Sequence, residues 1–299
     1  MPRAIGVLAM EHIAVGLVED GTLAAPIRVF PPLGSSSVGL HAMPPDKIAE
    51  TIKTEILAVA GDHEIEAVGI GFPGIIRGGV VQDSPNLRQV KGFKLQATLD
   101  AMLSPAVPVH VLNDADAVAA GIAAKLGHLG ALTRVWTLGS GVGYGRYPAT
   151  DGVWEGGHIV VSLDPREKYC GCGGVGHLEG IVGGRAMRLR FLDREPDEVF
   201  SDAKTGDERC IAFVATWHRA LAAAMATSVH MDGPGRLFVA GPNARFVELN
   251  PLNRYLHDMV KLSPVQGSAI EIVDAGDETA IVGAAIHAQQ AGRSQLGSG

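Results

Sequence analysis

Apolar residues from Ala4 to Val18 alternate along the chain, with a break at Met10-Glu11-His12, which predicts a strand, a turn and a second strand. Asp20-Gly21 is a hairpin tip, and Ala25 to Phe30 reads as a third strand. Pro31 to Pro45, with its Pro, Gly and Ser, is loop. Helical spacing after a capping Asp46 predicts a helix to Ala60. Glu66 to Phe72 is a short buried strand closed by Pro73-Gly74, Leu87 to Gly92 is loop, and Lys94 to Leu103 is a short helix. Val107 to Leu112 is a strand ending on Asn113-Asp114, followed by an alanine-rich helix from Ala115 to Leu126. Arg134 to Leu138 is a strand that runs into the glycine-rich stretch Gly139–Gly145, with a further strand after it. Helices are expected over Gly180–Asp193, Cys210–Val229, Leu249–Val260 and Glu278–Gln290, and strands over Arg236–Ala240 and Ala269–Val273.

Strands and helices thus alternate in two halves, which predicts an α/β protein with mixed sheets. The division expected from this pattern is residues 1–113, completed by a C-terminal helix at 278–299, and residues 114–277. Asn113-Asp114 stands at the carboxyl end of a strand where one half hands over to the other, which is where open α/β folds bind ligands. For the pair taken alone, helix capping is the favoured explanation of the residues.

Composition narrows the class. Hydrophobic residues make up 46% of 299, enough for two ordinary cores. The formal charge of −7 provides no basic footprint for nucleic acid. The arginines at 185, 188, 190 and 194 read as the wet face of a helix. The first residues lack the layout of a signal peptide, no apolar stretch has the length and purity of a membrane span, and three cysteines make no disulfide framework. A reducing cytoplasm is the expected compartment.

The candidate chemistry concentrates between Trp154 and Gly180. His158, Cys170, Cys172 and His177 follow the pattern H-x11-C-x-C-x4-H, four N and S donors of the kind that hold a tetrahedral zinc ion. The C-x-C step is tighter than the usual zinc spacing, and a glycine-rich turn with two free thiols and two unrelated histidines is the alternative.

Several segments together resemble the ROK family (repressors, open reading frames, kinases) of sugar kinases. Gly71-Phe72-Pro73-Gly74 and Ser84-Pro85-Asn86-Leu87 resemble its strand-PG and N-L segments. Asn113-Asp114-Ala115-Asp116-Ala117 is similar to N-D-A-N-A, and Leu138–Gly145 to the phosphate loop L-G-T-G-x-G-G-G. Glu155-Gly-Gly-His158 with Cys170–Glu179 resembles E-x-G-H and C-x-C-G-x-x-G-C-L-E. The resemblance runs from Ile5 to about Ala288. It implies a two-domain actin-like ATPase (ribonuclease H-like) fold with a ligand cleft between the domains, and a homodimer or homotetramer. It implies Asp114 as the catalytic base. Asn113, Glu155, His158, Glu179 and Gly74 would contact the sugar beside Asp114. Gly139, Ser140, Gly141 and Gly143 would bind ATP with Mg²⁺. His158, Cys170, Cys172 and His177 would hold a structural Zn²⁺, with His177 where the family has a third cysteine.

The chain also departs from that pattern. The family opens on D-x-G-G-T, a turn that holds phosphates and metal; here the aligned residues are Val7-Leu8-Ala9-Met10-Glu11. A bulky Met10 and an anionic Glu11 are poor partners for polyphosphate. Tyr144 replaces a glycine of the second loop, and Pro242 removes a backbone donor from the late Gly241-Pro242-Asn243 turn. Two functions follow: an ATP-dependent hexose or hexosamine kinase, or a sugar-binding pseudokinase that has lost its nucleotide. A ROK-type repressor is disfavoured, because the first strand at Ala4 leaves no room for a DNA-binding module before it.

Overall fold

The structure is a computed structural model that describes residues 3–32, 39–85, 87–103, 106–149, 154–262 and 267–296. In chain order the elements are β1 (Arg3–Ala9), β2 (Ile13–Glu19), β3 (Thr22–Leu23), β4 (Arg28–Phe30), α1 (Pro45–Ala60), β5 (Ala67–Phe72), β6 (Ile75–Arg77), β7 (Val80–Asp83), α2 (Leu95–Met102), β8 (Val109–Asn113) and α3 (Asp114–Lys125). They continue with β9 (Thr133–Leu138), β10 (Val142–Tyr147), α4 (Glu179–Val182), α5 (Gly184–Arg190), α6 (Pro196–Thr205), α7 (Glu208–Asp232), β11 (Arg236–Ala240), α8 (Leu249–Met259), β12 (Ala269–Ile272) and α9 (Asp277–Leu296).

The chain forms two compact units. Unit 1 comprises Met1–Thr133, Gly145–Val153 and Ala275–Gly299; unit 2 comprises Arg134–Tyr144 and Trp154–Asp274. In unit 1 the strand order is β3-β2-β1-β5-β8, with β4 also on β2. β1 pairs antiparallel to β2 and parallel to β5, and β5 pairs parallel to β8. Alternation along β1 sends Ile5 and Val7 to one face, into a core with Ile48 and Ile52 of α1. Ala4 and Leu8 go to the other, against Ile281 and Ala284 of α9. α9 also lies on α3, so closely that a Cβ at Gly121 would fall 1.9 Å from the Thr279 carbonyl oxygen. That packing groups α3 with unit 1, so the handover expected at residue 113 lies further along the chain. The same strand order puts Asn113 at the end of β8, beside Phe72 at the end of β5.

Unit 2 is a four-stranded sheet, β10-β9-β11-β12, with β11 and β12 parallel. Its core joins Trp136 and Leu138 of β9 to Trp217, Leu221 and Met225 of α7. Arg134, fully buried, donates from Nη1 to the Ser228 carbonyl at 2.9 Å and the Gly233 carbonyl at 3.0 Å, so a cation closes the carboxyl end of α7.

Several local expectations are corrected. The helix foreseen over Gly180–Asp193 is two short helices, α4 and α5, because Gly183 sits in an extended conformation (φ −67°, ψ 141°) between them. α1 begins after Pro44 with no side-chain cap, and Asp46 lies in its first turn. Of the third strand expected over Ala25 to Phe30 only Arg28–Phe30 (β4) forms, and a short strand not expected there, β3, precedes it. The β6–β7 hairpin and α6 had no counterpart in the sequence reading. Residues 33–38 of the expected loop over Pro31–Pro45, and Asn86, lie outside the described residues. α7 is long and apolar enough to cross a membrane by length and composition, contrary to the expectation; 56% of its apolar window is buried within the protein, as suits a core helix.

Candidate active site and metal centre

In unit 1 the site begins at the end of β8. Asn113 is the N-cap of α3: its Oδ1 accepts from the Ala115 N–H at 2.8 Å and the Asp116 N–H at 3.4 Å. Its Nδ2 donates to the Gly74 carbonyl at 2.8 Å. The capping role is therefore real, and it fixes Asp114, half-buried, as the first residue of α3. Gly74 adopts φ +106°, and a Cβ there would meet the Asp83 carbonyl oxygen at 2.2 Å. Its glycine is required by that turn. Asp116 accepts from the Arg146 N–H at 2.8 Å through Oδ1, a bond within unit 1.

The β1–β2 turn of unit 1 is three residues long, Met10-Glu11-His12, because Ala9 pairs with Ile13. The Met10 N–H donates to the His12 carbonyl at 2.9 Å, and Glu11 is exposed. His12 Nε2 lies 2.6 Å from Asp277 Oδ2 in the first turn of α9.

In unit 2 the loop between β9 and β10 holds its carbonyls inward. The Gly139 carbonyl accepts from the Gly184 N–H at 2.9 Å and Asn243 Nδ2 at 2.8 Å; the Ser140 carbonyl accepts from the Arg185 N–H at 2.9 Å. The Ser140 and Gly141 N–H groups have no hydrogen-bond partner among the described residues, as an anion-binding loop requires. Tyr144 points away from it, into the core, with its ring 4.8 Å from that of Trp136. The substitution of a family glycine by Tyr144 therefore leaves the loop open.

His158, Cys170, Cys172 and His177 converge, with their donor atoms all within 4.8 Å of one another. Zinc–nitrogen and zinc–sulfur bonds of ordinary length place tetrahedral donors about 3.3 Å apart for N and N, about 3.6 Å for N and S and about 3.8 Å for S and S. The two histidine Nδ1 atoms are 3.3 Å apart, Cys170 Sγ is 3.4 Å from His158 Nδ1, Cys172 Sγ is 3.6 Å from His158 Nδ1 and 3.3 Å from His177 Nδ1, and the sulfurs are 3.3 Å apart. These five separations lie within about 0.5 Å of the edges of a zinc tetrahedron, and the sixth, between Cys170 Sγ and His177, is no longer than 4.8 Å. The tight C-x-C step is accommodated by the backbone: Gly176 (φ +72°) lets the chain return, its would-be Cβ only 1.8 Å from the Ser162 carbonyl oxygen. Burial pushes the Cys170 thiol up to about 12, with Cys172 and Glu179 beside it. A divalent cation reverses such a shift, because a coordinating thiol is deprotonated.

His158 uses Nδ1 in this cluster and leaves Nε2 3.7 Å from Glu155 Oε2. Glu155 is half-exposed and its carboxyl titrates above its usual range, mainly through desolvation and further through Glu179, against the pull of His158. Glu179 spans two loops: Oε2 accepts from the Val142 N–H at 3.2 Å and Oε1 from the Gly171 N–H at 3.3 Å. Arg190, foreseen as a wet surface residue, instead pairs with Glu167 and stacks over Tyr169, holding the metal loop against α5. No local pattern points to that tie, since Glu167 is 23 residues away.

Comparison with known proteins identifies the family and the fold. A glucokinase of Pyrobaculum calidifontis is 33% identical over 248 residues, covering 77% of this chain and 81% of that protein. An N-acetylmannosamine kinase of Haemophilus influenzae is 24% identical over 287 residues, covering 91% and 90%. The crystal structure of a ROK hexokinase from Thermus thermophilus superposes with a TM-score of 0.78 at 22% identity, over 99% of this chain and 100% of that one, so the fold is that of the ROK sugar kinases, the actin-like ATPase fold. The ROK family profile matches residues 39–291. With the glycine loop, the Asn-Asp pair and the His/Cys cluster all in the matched span, the chain belongs to the ROK family.

Proposed function

We propose that this protein transfers a phosphoryl group from ATP to a hydroxyl of a hexose or N-acetylhexosamine, with Asp114 as general base. The observation that carries the reading is the clamp on Asn113, which holds Asp114 at the carboxyl end of β8 through Gly74 and the cap of α3. The names of its relatives, glucokinase and N-acetylmannosamine kinase, support the acceptor class.

The Asp114 carboxylate takes the proton of the attacking hydroxyl, whose oxygen then bonds to the γ-phosphorus as the bond to ADP breaks. Asn113, Glu155, His158 and Glu179, with the Gly74 backbone, read the other hydroxyls by donating and accepting hydrogen bonds. The N–H groups of Ser140 and Gly141, with the flexible backbone of Gly139 and Gly143, receive phosphate oxygens and the charge that builds on them. Mg²⁺ bound with ATP would neutralise part of that charge. His158, Cys170, Cys172 and His177 would hold Zn²⁺ as a structural ion. With Nδ1 taken by the metal, the neutral His158 ring would carry its proton on Nε2, beside Glu155, and donate it to a sugar hydroxyl in one fixed orientation. A cytoplasmic homodimer or homotetramer fits this reading.

Asp114→Ala tests it. ATP-dependent phosphorylation should fall by roughly a thousandfold, in the range general bases supply, while sugar still raises the melting temperature. Undiminished turnover in the variant removes Asp114 as the base.

One observation favours a second reading, a sugar-binding protein without a phosphoryl donor. The β1–β2 turn carries Met10 and an exposed Glu11, and His12 is engaged by Asp277. That protein would bind sugar and take up no Mg-ATP.

A further inference from the structure

We propose that Glu179 is a positioning residue that latches the glycine loop to the metal loop, so that the ion at His158, Cys170, Cys172 and His177 sets the shape of the phosphate-binding backbone. The proposal rests on the reading of those two loops given above.

The latch is one carboxylate with its two oxygens on two loops. Oε2 takes the N–H of Val142, the first residue of β10, at 3.2 Å. It also stands where a side chain on Gly141 would be, 2.6 Å from the position of a Cβ there. Oε1 takes the N–H of Gly171 at 3.3 Å. Gly171 is the middle residue of Cys170-Gly171-Cys172, so metal coordination on either side fixes the direction of its N–H. Cys170 Sγ lies 3.3 Å from the same oxygen and donates to it only as a thiol. Once the sulfur is a metal-bound thiolate, the Gly171 N–H is the donor that remains. The backbone of Glu179 is anchored by the metal as well, since the ligand His177 lies two residues before it, at the entrance to α4. Both ends of the tether on the metal side therefore depend on the ion.

The consequence falls on the phosphate side. Val142 is the hinge at which the glycine loop becomes β10. With its N–H turned inward to Glu179, the neighbouring N–H groups of Ser140 and Gly141 remain without partners among the described residues. Consecutive free N–H groups are what an anion-binding loop presents, and their value depends on being held in place before the ligand arrives. Released from the carboxylate, the Val142 N–H competes for the same anion or for water, and the loop loses its fixed shape.

The measurement is hydrogen exchange of the Val142 amide by NMR, on zinc-loaded protein and after chelation, for wild type, Glu179→Gln and Gly141→Ala. The wild-type amide should be protected when zinc is bound and exchange at least tenfold faster after chelation. Glu179→Gln, with one zinc per chain retained, should exchange as fast as the chelated wild type, and chelation should add nothing further. Gly141→Ala keeps Glu179 and all four metal donors but pushes the carboxylate off the loop, and should behave in the same way. Wild-type protection in both zinc-loaded variants overturns the latch; so does an equal acceleration by chelation in wild type and Glu179→Gln. In turnover, Gly141→Ala, which keeps every proposed sugar contact, should raise the KM for ATP more than the KM for sugar. Absence of phosphoryl transfer in the wild type sinks the kinase reading and leaves the exchange result to decide the latch.

Discussion

Acid should unfold unit 1 through a pair of histidines that the proposed chemistry does not use. His110 of β8 and His287 of α9 meet edge to face, with ring centroids 6.4 Å apart. Desolvation lowers His110 below its ordinary value, against an opposing pull from Asp100, and its Nε2 is buried without a hydrogen-bond partner among the described residues. His287 falls further, from 6.5 to about 4, through desolvation first and the neighbouring His110 second. A group depressed in the folded state contributes stability that is present above its unfolded value and lost as pH falls through the folded one. The window therefore runs from about pH 6.5 down to about pH 4. At 1.36 kcal/mol per pKa unit the full gap is worth about 3 kcal/mol, of which about 2 is gone by pH 5. Against a total of roughly 5–15 kcal/mol for a domain, that loss is large. The control is His287→Gln, which cannot take a charge. Hydrogen exchange of the β1, β5 and β8 amides reads unit 1 directly, whereas the three tryptophans all belong to unit 2 and do not. Wild type should lose about 2 kcal/mol more than the variant between pH 7 and pH 5. An equal loss in both proteins refutes the reasoning, because carboxylates common to the two would then account for all of it.

Other perturbations test separate parts of the structure. Gly121→Ala drives a methyl into the Thr279 carbonyl and should cost about 3 kcal/mol in unit 1, read by denaturant unfolding; a cost under 1 kcal/mol would mean that α3 and α9 separate easily. Asn113→Ala removes the cap of α3 and the tie to Gly74, and should cost roughly 2 kcal/mol and lower turnover with it; Asn113→Asp should restore the cap but not the tie. Elemental analysis should find one zinc per chain, and Cys172→Ser or chelation should lower the melting temperature of unit 2; zinc-free protein with unchanged melting would dismiss the metal.

Much of this was legible before the structure. The apolar runs of β1, β2 and β5 survive because the sheet buries both faces of those strands, and the junction of β8 with α3 at Asn113-Asp114 survives because the Asn caps the helix. The cluster of four candidate donors was legible because only a few residue types bind zinc, and four of them within 20 residues are conspicuous. What was hidden depends on distance along the chain. Arg134 looks like a polar strand start, yet it is fully buried because carbonyls 94 and 99 residues away at the end of α7 receive it. Gly183 breaks a helix that the arginine spacing favoured, because the Gly184 and Arg185 N–H groups are drawn to the glycine loop instead. Tyr144 read as damage to the phosphate loop; its ring belongs to the core against Trp136. The altered β1–β2 turn keeps the meaning it had in the sequence, since Met10, Glu11 and His12 occupy the turn itself.

That turn makes phosphoryl transfer the decisive measurement. Zinc-loaded protein incubated with Mg-ATP and, in turn, glucose, mannose, N-acetylglucosamine and N-acetylmannosamine should yield a sugar phosphate by phosphorus NMR for at least one of them, and Asp114→Ala should yield none on the same timescale. A sugar that raises the melting temperature, with no phosphate transferred and no heat on titration with Mg-ATP, would contradict the kinase account and identify a protein that reads a sugar without modifying it.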